Sequence, residues 1–214
     1  MKKVVPELHF LTHPAHTLSH SEQAARVLAG GLTCIQFRWK GNPEEGREEG
    51  KRIRELCYQY GACFIVNDHP GLALELDADG LHLGQTDMHP AKAREILGPD
   101  KIIGLSTHTK NEIMNALNAP VDYIGLGPVF PTRTKETGYP VLGREGLQSL
   151  TAMASVPVIA IGGINLENLP GLLNSGIRGL AFTSLLLDRE SPEEAAAELI
   201  QMWKTNKIAE HAKR

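Results

Sequence analysis

The chain has 214 residues, of which 42% are hydrophobic and 22% charged, and its formal net charge is −3. This composition is typical of a soluble globular protein, and the small negative charge gives no electrostatic reason to expect a nucleic-acid partner. No apolar run approaches the roughly 20 residues of a membrane-spanning helix, and the start MKKVVPELHF lacks the apolar centre of a signal peptide. Three cysteines without CxxC spacing, Cys34, Cys57 and Cys63, favour buried free thiols and a cytoplasmic location.

Short apolar runs alternate with longer amphipathic stretches from one end of the chain to the other. Near-continuous apolar character is typical of parallel strands that are buried on both faces. The predicted strands are LHFLTH (8–13), CIQFRWK (34–40), CFIVND (63–68), GLHLGQ (80–85), KIIGLST (101–107), YIGLGPV (123–129), PVIAIGG (157–163) and GLAFTS (179–184).

The stretches between these strands carry helix signals. Ser21 is the expected N-cap of the helix in SEQAARVLAGG, while Pro90 and Gly98 mark the start and the end of the helix in PAKAREILG. SPEEAAAELIQMWKTNK begins with serine, proline and two glutamates, which suits the positive end of a helix dipole. A poorer helix is expected in NLENLPGLLNSG, because Pro170 and Gly171 interrupt it.

This alternation predicts a compact (β/α)8 TIM barrel that occupies residues 1–214 as a single domain. The alternative is an open doubly wound sheet, but no G-x-G-x-x-G follows the first strand. The longest irregular segment, FPTRTKETGYPVLGRE (130–145), follows the sixth strand. Long loops in compact domains are usually functional or disordered, and we expect the part that follows PTRTK, ETGYPVLG (136–143), to be mobile until a substrate binds.

Polar residues collect where the predicted strands end, which is where TIM barrels carry their active sites. In chain order they are Gln36, Arg38 and Lys40, then Asn67 and Asp68, Gln85 and Asp87, Ser106 and His108, Thr132, Thr134 and Lys135, Gly162 and Gly163, and Thr183 and Ser184. This accumulation of polar groups at one end predicts an active site there.

The polar residues are of two chemical kinds. Arg38, Lys40 and Lys135 form an anion-binding set, and the GG and TS pairs offer backbone N–H groups to a phosphate. Asp68 and Asp87 are either solvated or salt-bridged loop acids, or they are ligands of Mg²⁺, which one or two carboxylates plus substrate oxygens typically hold. Taken together, the two kinds predict an enzyme that handles a phosphate and a diphosphate with Mg²⁺.

Several segments resemble the thiamine-phosphate synthase family, in the same order and over nearly the whole chain. They are QFRWK, VND, ADGLHLGQTD, GLSTHT, YIGLGPVFPTRTK, VIAIGGI and the TS of GLAFTS. The resemblance implies a Mg²⁺-dependent transferase that joins 4-amino-2-methyl-5-(diphosphooxymethyl)pyrimidine to a thiazole phosphate and releases diphosphate. Its partners would be these small-molecule substrates, and the oligomeric state stays open, a homo-oligomer included.

The resemblance also implies a role for each site residue. Gln36, Arg38, Lys40 and Asn67 would contact the pyrimidine diphosphate, Ser106 and Lys135 would also hold its diphosphate, Asp68 and Asp87 would ligate Mg²⁺, and Thr132, Thr134, Gly163, Thr183 and Ser184 would hold the thiazole phosphate. Arg38, Lys40, Ser106 and Lys135 would be the catalytic groups, because they stabilise the departing charge.

Two other functions are considered beside this one. A thiazole tautomerase of the same barrel superfamily uses a histidine at the position of His108 as its acid/base. A tautomerase binds no magnesium diphosphate, so the complete charged set favours the synthase. A non-catalytic phosphate-binding paralogue would lack a charged member of that set, and none is missing.

Three further residues of the motifs carry expectations about position. His82 is expected to be a barrel-interior histidine that is satisfied by hydrogen bonds. Trp39 should face away from Arg38 and Lys40 by strand alternation, and Arg38 is an alternative ion-pair partner for Asp68.

Overall fold

Eight parallel strands close into a barrel in the computed structural model, which describes residues 4–132, 134 and 138–211, with side chains up to residue 207. The strands are β1 (Leu8–Leu11), β2 (Cys34–Phe37), β3 (Cys63–Asn67), β4 (Gly80–Leu83), β5 (Ile102–Thr107), β6 (Tyr123–Leu126), β7 (Val158–Ile161) and β8 (Gly179–Phe182). Each strand pairs with the next in the sequence, and β8 pairs with β1. The predicted (β/α)8 TIM barrel is confirmed.

Helices connect the strands on the outside of the barrel. They are α1 (His20–Ala29), α2 (Arg47–Tyr60), α3 (Pro70–Glu75), α4 (Pro90–Leu97), α5 (Lys110–Leu117), α6 (Gly143–Thr151), α7 (Ser184–Leu187) and α8 (Pro192–His211), with a 3₁₀ helix at Leu169–Ser175. The 3₁₀ helix stands where Pro170 and Gly171 argued against a regular α-helix. Within the described part of the chain, no helix is both long and apolar enough to cross a membrane.

The start of α1 differs from the prediction that Ser21 is its N-cap. The N-cap is Ser19, whose side chain accepts a hydrogen bond from the backbone N–H of Glu22 at 3.2 Å. The Glu22 carboxylate accepts one from the Ser19 N–H at 2.7 Å in return, which completes a capping box. Ser21 was the wrong choice because the S-x-x-E spacing begins at Ser19; the Ser21 N–H donates to Glu49 instead, at 2.8 Å.

Most strands end before the last residue that the apolar pattern assigned to them. β2 stops at Phe37 and β7 at Ile161, so Arg38, Lys40 and the glycine pair lie in loops just beyond. Two of these loops turn through positive φ, at Asp68 (67°) and Gly162 (99°), which extended strands do not adopt. Arg38, Lys40, Asp68 and the glycine pair therefore lie in loops at the mouth of the barrel, whereas Gln36, Asn67 and Ser106 lie in the last residues of their strands.

The core has two layers. A large apolar cluster lies between the sheet and the helices, and a smaller one, which includes Leu11, Tyr123 and Ile159, fills the barrel. The rings of His9 on β1 and Tyr123 on β6 lie 5.2 Å apart. Since β1 and β6 are not neighbours in the sheet, this contact passes through the barrel interior. The barrel interior is thus packed with side chains, as is typical of this fold, and is not a pore.

Candidate active site

A cleft opens at the carboxyl ends of the strands. Its lining includes these predicted site residues: Arg38, Ser106, Thr132, Thr134, Gly163, Thr183 and Ser184, together with His108. The apolar side chains of Leu11, Ile161 and Phe182 complete the wall. The structure thus brings the predicted phosphate-binding residues of five different strand ends to one cavity, while Lys135 lies outside the described residues.

The glycine pair after β7 allows the backbone to approach the cleft closely. Gly162 and Gly163 have φ values of 99° and 63°. A Cβ atom at Gly163 would lie 2.4 Å from the carbonyl oxygen of Pro131, well inside contact distance. The loop after β7 and the loop after β6 lie against each other at the cleft wall, and only glycine fits at this contact.

The threonines of the cleft are held by the backbone. Thr183 donates its hydroxyl proton to the carbonyl oxygen of Leu11 at 2.9 Å. The Thr132 hydroxyl oxygen accepts the N–H of Thr134 at 3.2 Å. Because the Thr183 hydroxyl proton is already used, we expect Thr183 to meet an anion through its backbone rather than through its side chain.

Asp68 and Asp87, at the tips of the adjacent strands β3 and β4, meet each other. Their carboxyl groups lie close enough for each to shift the pKa of the other, and the Asp87 carboxylate accepts the N–H of Gly84 at 2.6 Å. Lys40 reaches across from the end of β2 and places its Nζ 2.6 Å from Asp68 Oδ2. The ion pair that was considered for Arg38 is therefore made by Lys40.

The two carboxyl groups titrate in opposite directions. Burial opposes ionisation of Asp68, but its bonds to Lys40 and Asp87 outweigh this and lower its pKa. Burial and the neighbouring Asp68 raise the pKa of Asp87. Two carboxyl groups this close to each other favour the binding of one shared proton or one shared cation.

The donor chemistry of this pair fits Mg²⁺. Both side chains offer hard carboxylate oxygens, and Mg²⁺ needs only one or two protein carboxylates because water and substrate oxygens complete its shell. No group of three or more His, Cys, Asp or Glu side chains that could form an all-protein metal cage exists among the residues that the structure describes.

Gln36 and Asn67 lie deeper, at the ends of β2 and β3, and both are buried. Among the described residues, the Oε1 atom of Gln36 has no hydrogen-bond partner. A buried acceptor without a donor costs about 1–3 kcal/mol, so this atom is suited to accept a bond from a ligand N–H group.

Arg38 is positioned through its backbone. Its N–H donates to the Thr12 hydroxyl at 3.0 Å, and that hydroxyl lies 2.7 Å from His20 Nδ1. Trp39 packs beside His20, at 5.3 Å between ring centroids, and leaves the cleft to Arg38. The expectation that Trp39 faces away from the site is confirmed.

His108 is joined to two residues that the sequence did not single out. Its Nδ1–H donates to the carbonyl oxygen of Gly127 at 2.6 Å, and its ring stacks on Tyr139 at 3.9 Å. The Tyr139 hydroxyl donates to Glu112 at 2.8 Å, and Glu112 also accepts the His108 N–H. These contacts tie the loop after β6 to the start of α5, a link that no local sequence signal could reveal.

His82 faces the barrel interior and is satisfied by hydrogen bonds, as predicted. Its Nε2 lies 2.9 Å from the Ser106 hydroxyl and its Nδ1 lies 2.8 Å from that of Tyr123. Gln85 donates to the Ser106 carbonyl oxygen at 2.6 Å. Ser106 is therefore held by both its backbone and its side chain.

Known proteins resemble this chain in sequence and in fold. The family model described as thiamine monophosphate synthase matches residues 8–186. A thiamine-phosphate synthase from Phocaeicola vulgatus is 40% identical over 198 residues, which are 90% of this chain and 95% of that protein. One from Chlorobium luteolum is 43% identical over 192 residues, which are 88% and 90% of the two chains.

A solved structure extends the likeness to three dimensions. The thiamine phosphate pyrophosphorylase from Pyrococcus furiosus superposes with a TM-score of 0.84 at 36% identity, and the match covers 94% of this chain and 96% of that one. Sequence and architecture therefore point to the same group of proteins.

Proposed function

The chain belongs to the thiamine monophosphate synthase family and is a transferase, and we propose that it couples 4-amino-2-methyl-5-(diphosphooxymethyl)pyrimidine with a thiazole phosphate to give thiamine monophosphate and diphosphate. The observation that carries this proposal is the meeting of Asp68, Asp87 and Lys40 at strand tips beside the cleft that contains the predicted phosphate-binding residues. A phosphate-binding site alone is common to many TIM barrels. Two neighbouring carboxylates beside a lysine are typical of a site that binds a diphosphate together with a metal ion.

The pyrimidine end of the substrate binds at the floor of the site in this proposal. The buried Gln36 Oε1, which has no partner among the described residues, accepts a hydrogen bond from the 4-amino group. Asn67, on the neighbouring strand, contacts the same substrate. These bonds orient the ring so that its reactive carbon faces the thiazole.

The diphosphate lies against the cations Arg38, Lys40 and Lys135 and the Ser106 hydroxyl. The electron-rich aminopyrimidine stabilises positive charge on its methylene carbon, so the bond to diphosphate can break ahead of attack by the thiazole nitrogen. Such a reaction needs stabilisation of the departing negative charge more than a strong base, and preorganised cations provide it. The reaction therefore needs no attack by a protein nucleophile.

The thiazole phosphate binds at the other side of the cleft. Gly163, Thr183 and Ser184 present backbone there, and the hydroxyl groups of Thr132 and Thr134 lie beside them. This placement holds the thiazole nitrogen in line with the bond that breaks, which converts a bimolecular reaction into an effectively unimolecular one.

Asp68 and Asp87 would hold Mg²⁺. The bound ion would supply positive charge to the diphosphate oxygens and so help diphosphate to leave. Lys40 then has two functions, because it neutralises Asp68 in the absence of the ion and can contact diphosphate when the ion is present.

A coupling assay tests the proposed function. The purified protein is incubated with both substrates, and thiamine monophosphate formation and thiazole isomerisation are measured in the same tube. We expect thiamine monophosphate only when both substrates are present. Isomerisation without coupling would identify a tautomerase instead, and the absence of both reactions would identify a phosphate-binding paralogue.

A further inference from the structure

A line of hydrogen bonds runs from the closed interior of the barrel to the cleft. Tyr123 on β6 is 1% exposed, and its hydroxyl lies 2.8 Å from His82 Nδ1 on β4. His82 Nε2 lies 2.9 Å from the hydroxyl of Ser106, which lines the cleft. Three polar side chains from three strands are therefore connected in series, and only the last one reaches the site.

Two glycines provide the space that the side chains of Tyr123 and His82 occupy. A Cβ atom at Gly104 would lie 2.1 Å from Cζ of Tyr123, so any larger residue would displace the phenol ring. A Cβ at Gly125 would lie 3.2 Å from Cε1 of His82. These backbone positions fit the Tyr123 and His82 rings closely, and each ring is consequently held in one orientation.

The direction of each proton follows from the buried phenol. The burial of Tyr123 raises the pKa of its hydroxyl well above the usual value, so the group keeps its proton. The hydroxyl's hydrogen bond in the described part of the chain is the one to His82 Nδ1, and an undonated buried proton would cost about 1–3 kcal/mol. The phenol is therefore the donor and Nδ1 the acceptor.

The remaining steps of the line are then fixed. A neutral imidazole whose Nδ1 accepts carries its proton on Nε2, and that N–H donates to the Ser106 oxygen. The Ser106 oxygen is thereby an acceptor within the protein, and its own proton is directed into the cleft. With the opposite tautomer, Ser106 would donate to His82 and would present only lone pairs to a negatively charged substrate.

We propose that Tyr123 and His82 are positioning residues that set the Ser106 hydroxyl as a hydrogen-bond donor to the departing diphosphate. This inference rests on the proposed function for the identity of the ligand. The tautomer of His82 does not depend on that function, because it is a property of the protein without substrate. The two ideas can therefore fail separately.

The first test is the His82 tautomer in the full-length protein, read from ring nitrogen shifts by long-range ¹H–¹⁵N NMR with ¹⁵N-labelled histidine. We expect the proton on Nε2 in the wild type and a loss of this preference in Tyr123→Phe. The matched control is Tyr139→Phe, which removes a hydroxyl group that donates to Glu112 and should leave the His82 tautomer unchanged. A wild-type ring with its proton on Nδ1 would overturn the proposal, whether or not the variants fold.

The second test measures coupling kinetics. The loss of one directed hydrogen bond is worth about tenfold, so Tyr123→Phe should lower kcat about tenfold and leave the KM for the thiazole phosphate unchanged. His82→Gln keeps an N–H donor and should retain most of the rate that His82→Leu loses. Combining Tyr123→Phe with Ser106→Ala should cost no more than Ser106→Ala alone, since both changes remove the same bond. Additive losses, or equal rates for the Gln and Leu variants, would refute the positioning role.

Discussion

Replacement of Gly163 by alanine is the perturbation whose effect the structure defines most closely. Gly163 has φ of 63°, where a residue with a Cβ atom costs about 1–2 kcal/mol. The new methyl group would also lie 2.4 Å from Pro131 O and 2.8 Å from Phe130 Cβ, so the loop after β6 must move. Overpacking of this kind typically costs about 1–3 kcal/mol more.

A matched control separates the two costs. Gly61 also has φ of 63°, but a Cβ atom there meets nothing within 4 Å, and it precedes β3 at the opposite end of the barrel from the cleft. Gly61→Ala should therefore lose only the conformational cost of about 1–2 kcal/mol. The free energy of unfolding in urea, measured for both variants and the wild type, gives the difference.

The same variants report on the site. Displacement of Pro131 moves the adjacent Thr132 in the cleft wall, and small misplacements of binding groups are costly, so Gly163→Ala should raise the KM for the thiazole phosphate about tenfold or more. Gly61→Ala should leave this KM unchanged. Equal losses of stability in the two variants, with unchanged KM values, would show that the two loops are not in the contact described here.

Three other predictions concern the acid pair and the core. Asp87→Asn should remove roughly 2–4 kcal/mol of transition-state stabilisation and so lower kcat/KM by about 30- to 1000-fold. The control Asp100→Asn, on an exposed turn, should leave kcat/KM unchanged. Wild-type rates for Asp87→Asn would contradict the metal role. Burial lowers the pKa of His9 in the folded protein to about 4. As the pH falls, the His9 imidazole therefore takes up a proton in the unfolded chain before it does so in the folded chain. Unfolding free energy should therefore drop by about 3 kcal/mol between pH 6.5 and 4, less so in His9→Leu, and identical pH slopes would count against it. Arg94 donates hydrogen bonds to Asp122 and to several carbonyl oxygens. Arg94→Lys should therefore lower the free energy of unfolding in urea by about 1–3 kcal/mol and leave the KM values unchanged. An unchanged free energy of unfolding would rule out a structural role for this network.

The strands could be predicted because a parallel barrel buries both of their faces. Runs such as CFIV and VIAI are continuously apolar, and all eight were found from this property alone. The ends of all strands but β5 were placed too late, because apolar and alternating character continues past the last paired residue. At Asp68, for example, a positive φ ends the strand although the pattern VND continues it.

Local signals predicted helix ends only where the right residue was read. Pro90 and Gly98 mark the ends of α4 as expected. At α1, two serines compete, and the glutamate three residues on decides for Ser19. This information was present in the sequence and needed only the spacing rule.

The polar contacts of the site could be predicted as a set but not as pairs. The position of each side chain at a strand end follows from the barrel, which is why Asp68 and Asp87 were expected to be neighbours. Whether Lys40 or Arg38 reaches Asp68 depends on loop angles that no sequence pattern encodes. The bond between His82 and Tyr123 joins residues 41 positions apart and depends on the closure of the barrel.

The most direct test of the account is the rate of thiamine monophosphate formation as a function of free Mg²⁺. The central claim is that Asp68 and Asp87 hold a magnesium ion that helps diphosphate to leave. We expect EDTA to abolish coupling, added Mg²⁺ to restore it, and Asp87→Asn to require more Mg²⁺ for its half-maximal rate. Undiminished turnover in EDTA would contradict the claim.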